Sequence, residues 1–258
     1  MGILERMRLD GKKIFVTGGA QGIGLSIAMG LAEAGADIAL VDINLPEAEK
    51  AARLVKDKTG REAFAVYADV TCPQSVDTMI ETILKKFNRI DVAFCNAGIA
   101  LNMAAEEMTY EQWKNIIDVN LSGVFLTAVA AGKVMLKQGG GSIINTASMS
   151  AHVVNVPQRQ SAYNTSKAGV IQLTKSLAVE WATRNVRVNS ISPGYISTEL
   201  ILASPTLKPL IDEWKKLSPL KRLGTPDELQ AIAVYLAGDT SMFTTGSDFI
   251  IDGAYTSI

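Results

Sequence analysis

Short apolar runs alternate with longer stretches of helical spacing along the whole chain, and this rhythm constrains the fold more than any other feature. The runs KIFVTGG (13–19), DIALVD (37–42), AFAVYADV (63–70), RIDVAFCNAG (89–98), GGGSIINTAS (139–148), VRVNSISPG (186–194) and TGSDFIIDGA (245–254) predict seven strands. Between them, Gly22 to Leu31, Pro73–Phe87, Thr109 to about Lys137, and Ala162 to Thr183 carry helical patterns, the first stopped by Gly35. Apolar strands alternating with helices form βαβ units on a parallel sheet covered on both faces. The expected fold is therefore one doubly wound α/β domain spanning residues 1–258, with a seven-stranded parallel sheet and helices on both faces. Residues 195–228 break the rhythm. They are too long for an ordinary loop and hold three prolines before Pro226, so they are expected to form an insertion or lid. Trp214 and Leu200–Leu202 would supply its apolar cover.

Composition removes several function classes. Aromatic residues make up only 6% of the 258, so the core must be aliphatic. With 25 basic against 26 acidic residues the net charge is −1, which fits neither a nucleic-acid partner nor an anionic membrane surface. Cys72 and Cys95 cannot make a disulfide framework, so a reducing, cytoplasmic setting is expected. The segment MGILERMRLDGKK is too charged for a leader, and no run of about 18 apolar residues predicts a membrane span.

The first strand breaks into Thr17-Gly18-Gly19-Ala20-Gln21-Gly22-Ile23-Gly24. Glycines there permit a tight strand-to-helix turn and close approach of a pyrophosphate to free N–H groups at the helix start. The spacing is GxxxGxG rather than the commoner GxGxxG, and its weight comes from its place after the first strand of a βαβ unit. That context makes the domain Rossmann-type. The second strand ends in Asp42, which can accept hydrogen bonds from an adenosine ribose and would repel a 2′-phosphate. Neither Ile43 nor Asn44 is cationic, so NAD is expected over NADP.

Tyr163 and Lys167 lie four residues apart at a helix start and so share one face. A phenol titrates near 10, and an adjacent ammonium lowers that value toward the range useful for acid–base chemistry. Ser148 ends the fifth strand, at the sheet edge where ligands bind in such folds, and its hydroxyl could hold a substrate oxygen beside the phenol.

With TGGAQGIG (17–24), Asp69, Asn96-Ala97-Gly98, Asn120, Ser148, YNTSK (163–167) and Pro193-Gly194, the chain resembles the short-chain dehydrogenase/reductase family over nearly its whole length. The resemblance implies a catalytic set of Asn120, Ser148, Tyr163 and Lys167. Tyr163 would be the acid/base and Ser148 would orient the substrate oxygen. Lys167 would bind the nicotinamide ribose and depress the tyrosine pKa, and Asn120 would hold a water in a proton relay. It further implies a cofactor cleft of Gly18, Gln21, Gly22, Ile23, Gly24, Asp42, Asp69, Val70, Asn96, Gly98, Tyr163, Lys167, Pro193, Gly194 and Thr198. A homotetramer would bury apolar faces of the helices near Asn102–Leu136 and 162–183.

Residues 149–162 offer His152, Asn155, Gln158, Arg159 and Gln160 beside the chemistry, a set suited to a polyhydroxylated substrate. The pattern SMSxxxVNxPQxQ before YxxSK resembles the galactitol dehydrogenase type of sugar-alcohol dehydrogenase, as do AVEWA (178–182) and DGAYTSI (252–258). This implies NAD-linked exchange between a polyol and a ketose, with Ser148, Asn155 and Tyr163 touching the substrate. His152 has no metal or triad partners at recognisable spacing, and no metal site is expected. Two alternatives remain open. One is a 3-oxoacyl thioester reductase, for which Lys215, Lys216, Lys221 and Arg222 would form a basic surface. The other is a non-catalytic dinucleotide-binding protein, against which the intact Asn-Ser-Tyr-Lys set argues.

Overall fold

The computed structural model describes residues 2–203 and 207–258, with the backbone alone at Leu200. In chain order the elements are α1 (Ile3–Arg6), β1 (Lys13–Thr17), α2 (Gly22–Glu33), β2 (Asp37–Asp42), α3 (Leu45–Thr59), β3 (Ala63–Tyr67), α4 (Pro73–Phe87) and β4 (Val92–Cys95). There follow α5 (Tyr110–Ile117), α6 (Gly123–Gln138), β5 (Gly141–Thr146), α7 (Ser161–Trp181) and β6 (Val186–Pro193). The last are α8 (Glu199–Ala203), α9 (Lys208–Leu217), α10 (Gln230–Ala237) and β7 (Asp248–Ile251).

The strands form one sheet in the order β3-β2-β1-β4-β5-β6-β7, every neighbouring pair parallel. Strand alternation divides the core in two. Phe15, Ala39, Val41, Ala93 and Cys95 point to the side covered by α4, α6 and α7. Ile14, Val16, Ile38, Leu40, Val92 and Phe94 point to the side covered by α2, α3 and α10. Burial on both faces explains why the strands read as continuous apolar runs rather than alternating ones.

The single helix expected over Thr109–Lys137 is interrupted. Residues Asp118–Ser122 form a π-helical turn between α5 and α6, with Asn120 fully buried inside it. Such bulges occur where a side chain must be turned toward a site. The stretch Tyr110–Gln138 is long and apolar enough to pass for a membrane span by composition. Its apolarity is spent inside the domain, where Val124, Ala128, Ala131 and Met135 enter the core.

The strand order reverses between β1 and β4, and the carboxyl ends of the central strands there deliver Gly18, Asn96 and Ser148 to one edge. That crevice is where open α/β sheets bind ligands. The expected insertion folds as α8, α9 and connecting turns. Trp214 is buried with Ile211 and Leu223 in a small cluster of its own, which Ile201 joins. Leu202 is half-exposed, and residues 204–206, like the Leu200 side chain, lie outside the described residues.

Candidate active site

The glycine turn is shaped by backbone contacts that side chains would destroy. Gly18 and Gly22 adopt φ of +63° and +57°, a region that favours glycine. A Cβ on Gly24 would overlap the Gly18 carbonyl oxygen and lie 2.7 Å from Asn96 Nδ2. A Cβ on Gly22 would lie 3.5 Å from the Thr198 methyl, so the segment after β6 reaches over the turn. Gln21 caps α2 without a side-chain hydrogen bond, which leaves the first N–H groups of this 12-residue helix directed at the turn. Ile23 packs against the core as the helix departs. Asp42 is half-buried at the end of β2, where Oδ2 accepts from Ala20 N at 3.1 Å and Oδ1 from Asn44 N at 3.0 Å. An unfilled N-terminus, a cradle without Cβ atoms and an adjacent carboxylate match a dinucleotide's pyrophosphate and ribose.

The neighbouring residues hold the crevice open. Asn96 Nδ2 donates to Thr17 O at 3.0 Å and to Gly18 O at 3.3 Å, and Oδ1 accepts from Thr146 Oγ1 at 3.3 Å. Its side chain thus rivets the ends of β1 and β5 while its backbone borders the crevice. Asp69 caps its own loop, with Oδ1 accepting from Thr71 N and Oγ1. Val70 is buried against Gly123, where a Cβ would meet it at 2.8 Å. Gly194 follows the buried end of β6 at Pro193, and a Cβ there would strike Asp252 Cα at 2.6 Å.

Asn120, Ser148, Tyr163 and Lys167 converge at this edge. The Ser148 hydroxyl accepts from Ser150 N at 3.1 Å and is close enough to the Tyr163 phenol to act on its acidity. Lys167 is almost fully buried; its Nζ donates to Thr146 O at 2.7 Å and stands 5.7 Å from the Tyr163 ring centroid. Asn120 accepts from Ile99 N at 2.8 Å and donates to Ile99 O at 2.9 Å and Ser166 Oγ at 3.2 Å. The π-helical turn thereby clamps the strand-end loop carrying Gly98. A Cβ on Gly98 would lie 3.3 Å from Asn120 Oδ1 and 3.4 Å from Lys167 Nζ, so this loop packs closely on the set.

The electrostatics differ from expectation in one respect. The lysine was expected to bring the tyrosine pKa down, yet burial pushes the Tyr163 phenol up, and the neighbouring Ser148 hydroxyl offsets only part of that. Lys167 spends its short hydrogen bond on a backbone carbonyl, and burial brings its own pKa down to about 8.

The polar loop between Ser148 and Tyr163 folds inward rather than covering the surface. Asn155, Gln158 and Gln160 are all buried. Asn155 Nδ2 donates to Tyr195 Oη at 3.2 Å. Gln160 Nε2 lies within reach of Ser150 Oγ, Asn155 Oδ1 and Asn164 Oδ1. Arg159 is exposed and faces Glu106 at 3.9 Å. His152 Nε2 meets Asp248 Oδ2 at 2.7 Å, and that carboxylate also accepts from Ser190 and Ser192. His152 therefore anchors the loop on β7. Tyr195, Ser150 and Thr146 were not anticipated as site residues. Only Tyr195 carried a signal, its position directly after Pro193-Gly194.

Among the described residues no group of His, Cys, Asp or Glu is arranged to hold a metal ion. Of the basic residues that the thioester-reductase alternative would use, Lys215, Lys216 and Arg222 pair with Asp212, Glu213 and Glu228, and Lys221 donates to the Lys216 carbonyl.

Residues 18–256 match a family model described as enoyl-(acyl carrier protein) reductase. The chain is 43% identical over 257 residues to the sorbose reductase of Candida albicans, covering 98% of this chain and 90% of that one. It is 40% identical over 263 residues to an NADP-dependent mannitol dehydrogenase of Hypocrea jecorina, covering 99% and 96%. The crystal structure of a short-chain type dehydrogenase/reductase from Mycobacterium marinum superposes with a TM-score of 0.96 at 43% identity, over the full length of both chains. Fold, glycine turn and these likenesses agree: the chain is an oxidoreductase that binds a nicotinamide dinucleotide and belongs to the short-chain dehydrogenase/reductase family.

Proposed function

We propose that this protein interconverts a neutral polyol and its ketose with NAD(H). The observation that carries the reading is the convergence of Ser148 and Tyr163 beside the buried Lys167, facing a loop whose inward side chains are uncharged amides. Such a wall can match several hydroxyl groups without burying an unpaired charge. The likeness to a sorbose reductase and a mannitol dehydrogenase supports the same substrate class.

When bound, the dinucleotide accepts the hydride from the alcohol carbon or returns it to the ketone. Ser148 holds the reacting oxygen. Tyr163 takes the hydroxyl proton during oxidation and gives it back during reduction. Lys167 favours the phenolate as it forms and reaches the nicotinamide ribose. Asn120 keeps the Gly98 loop in register and serves the proton relay through a water. The second N–H of Asn155, beyond the one given to Tyr195, is the contact assigned to a neighbouring substrate hydroxyl. Gly18, Gln21, Gly22, Ile23 and Gly24 would hold the pyrophosphate, and Asp69 and Val70 would approach the adenine. Asn96 and Gly98 would line the cofactor cleft, and Pro193, Gly194 and Thr198 would border the nicotinamide side.

NAD is assigned over NADP because Asp42 sits where a 2′-phosphate would have to lie, with no cation at Ile43 or Asn44. The relative from Hypocrea jecorina is named for NADP, so Asp42 carries this assignment alone. A homotetramer is assigned from the resemblance, and the outward Phe125 on α6 and Val179 on α7 support it, since both are exposed apolar residues. The test is turnover on a panel of C4–C6 alditols and ketoses with NAD and NADP, run beside Tyr163→Phe. NAD-linked turnover lost in the variant is the expected result. Dinucleotide binding without turnover on any alcohol would favour a binding protein, and activity confined to 3-oxoacyl thioesters with NADPH would favour the other enzyme.

A further inference from the structure

We infer that Gln158 is a positioning residue that ties the lid to the substrate loop, so that substrate binding depends on one amide bridging Tyr195 and Trp214. Gln158 Oε1 accepts from Trp214 Nε1 at 3.0 Å, and its Nε2 donates to Tyr195 Oη at 2.7 Å. Tyr195 and Trp214 stack with ring centroids 4.2 Å apart and planes 7° from parallel, and Tyr255 meets Tyr195 edge-on at 5.5 Å. Four separate parts of the chain meet here: the loop before Tyr163, the start of the insertion just after β6, the lid helix α9 and the segment after β7.

The donor and acceptor assignments follow from chemistry. An indole N–H can only donate, so the amide oxygen of Gln158 must face Trp214 and its nitrogen must face Tyr195. Tyr195 Oη then accepts from both Gln158 and Asn155. Asn155 Oδ1 lies 3.3 Å from Gln160 Nε2, which also reaches Asn164 Oδ1 at 2.9 Å. One continuous network thus runs from Trp214 on the lid to Asn164, the residue next to the catalytic tyrosine. Gln158 is the one link joining lid and loop through both ends of its side chain. If it is removed, the Trp214 N–H is left buried without its partner, a loss that favours an opened lid. Lid opening in turn loosens the loop that carries the substrate-facing amides.

This inference rests on the polyol reading for its kinetic arm but not for its structural arm. Gln158→Leu, Trp214→Phe and the double variant are compared with wild type. Trp214→Phe keeps an aromatic ring for stacking while removing the N–H donor together with part of the indole's packing area. Each single variant should raise KM for the polyol about tenfold, with kcat within about twofold and the KM for NAD unchanged. Tryptic cleavage after Lys215 and Lys216 should quicken by a similar factor, because cleavage of a transiently opened segment follows the population of the open form. The double variant should be no worse than Gln158→Leu alone, since that change already breaks the bond that Trp214→Phe removes. Additive effects, or unchanged KM and cleavage in Gln158→Leu, would overturn the inference. If wild type turns over no polyol, the functional reading fails, while the cleavage rates still decide whether Gln158 holds the lid.

Discussion

Replacing Lys167 by methionine should stabilise the fold at neutral pH while abolishing turnover. The ammonium is almost fully buried, and burial brings its pKa from 10.5 to about 8. At 1.36 kcal/mol for each tenfold change in acidity, the charged lysine costs the folded state about 3 kcal/mol. Its hydrogen bond to Thr146 O, 2.7 Å long, returns about 1 kcal/mol. The methionine variant should therefore be more stable by about 2 kcal/mol below pH 8, or about 4–8 °C in Tm. Below pH 8 the lysine is charged in both folded and unfolded chains, and the cost applies in full. Between about 8 and 10.5 the folded protein sheds the proton while the unfolded chain keeps it, so wild-type stability rises through that window. Above 10.5 both are neutral and only the lost hydrogen bond separates the proteins. Thermal unfolding of both from pH 6 to 11 should give curves that cross between 8 and 10.5, with wild type ahead at the alkaline end. A variant less stable than wild type at pH 7, or a gap indifferent to pH, would refute the reasoning.

Other substitutions probe separate parts of the site. Asp42→Ser combined with Ile43→Arg should move the NAD/NADP ratio of kcat/KM toward NADP by about 5- to 1,000-fold. That range follows from unit charges 4 Å apart, worth about 1 kcal/mol in water and 4 at an effective dielectric of 20; a ratio that stays put removes Asp42 from the specificity argument. Asn120→Ala strips both the N–H and the C=O of Ile99 of their partners. Denaturant unfolding should show a loss of about 2–4 kcal/mol, with kcat falling further than that loss explains. Gly132→Ala would place a Cβ 2.5 Å from the Trp181 ring where α6 crosses α7. A loss of about 1–3 kcal/mol is expected, and Trp181→Leu in the same background should recover part of it; full stability in the single variant would show that the helices can part freely.

The fold was legible because burial on both faces leaves a strong mark: all seven apolar runs became strands, and the glycine turn fell after β1. Elements governed by local spacing were readable, and those governed by distant contacts were not. The π-helical turn at Asp118–Ser122 has no local cause in the sequence; it forms because Asn120 must reach Ile99, 21 residues away. Asn155 read as a free amide, whereas 40 residues later Tyr195 claims one of its N–H groups. The sense of the Tyr163 shift also escaped, because residue spacing places an ammonium near a phenol but says nothing about how completely both are buried. Gln158 read as one of the polar groups beside the chemistry, and its bridging role stayed hidden because both of its partners, Tyr195 and Trp214, lie in the insertion.

The strand order carries a consequence for how the chain is made. One edge of β1 is closed by β2, but the other waits for β4, where Ile14 is opposite Val92. A nascent chain therefore exposes the apolar flank of its central strand while roughly 80 further residues are added, an interval of about 4–16 s at usual synthesis rates. An unpaired strand edge invites association with other chains. The segment through β3 is thus no independent folding unit: it is a half-built sheet whose β1 edge is covered only when β4 arrives.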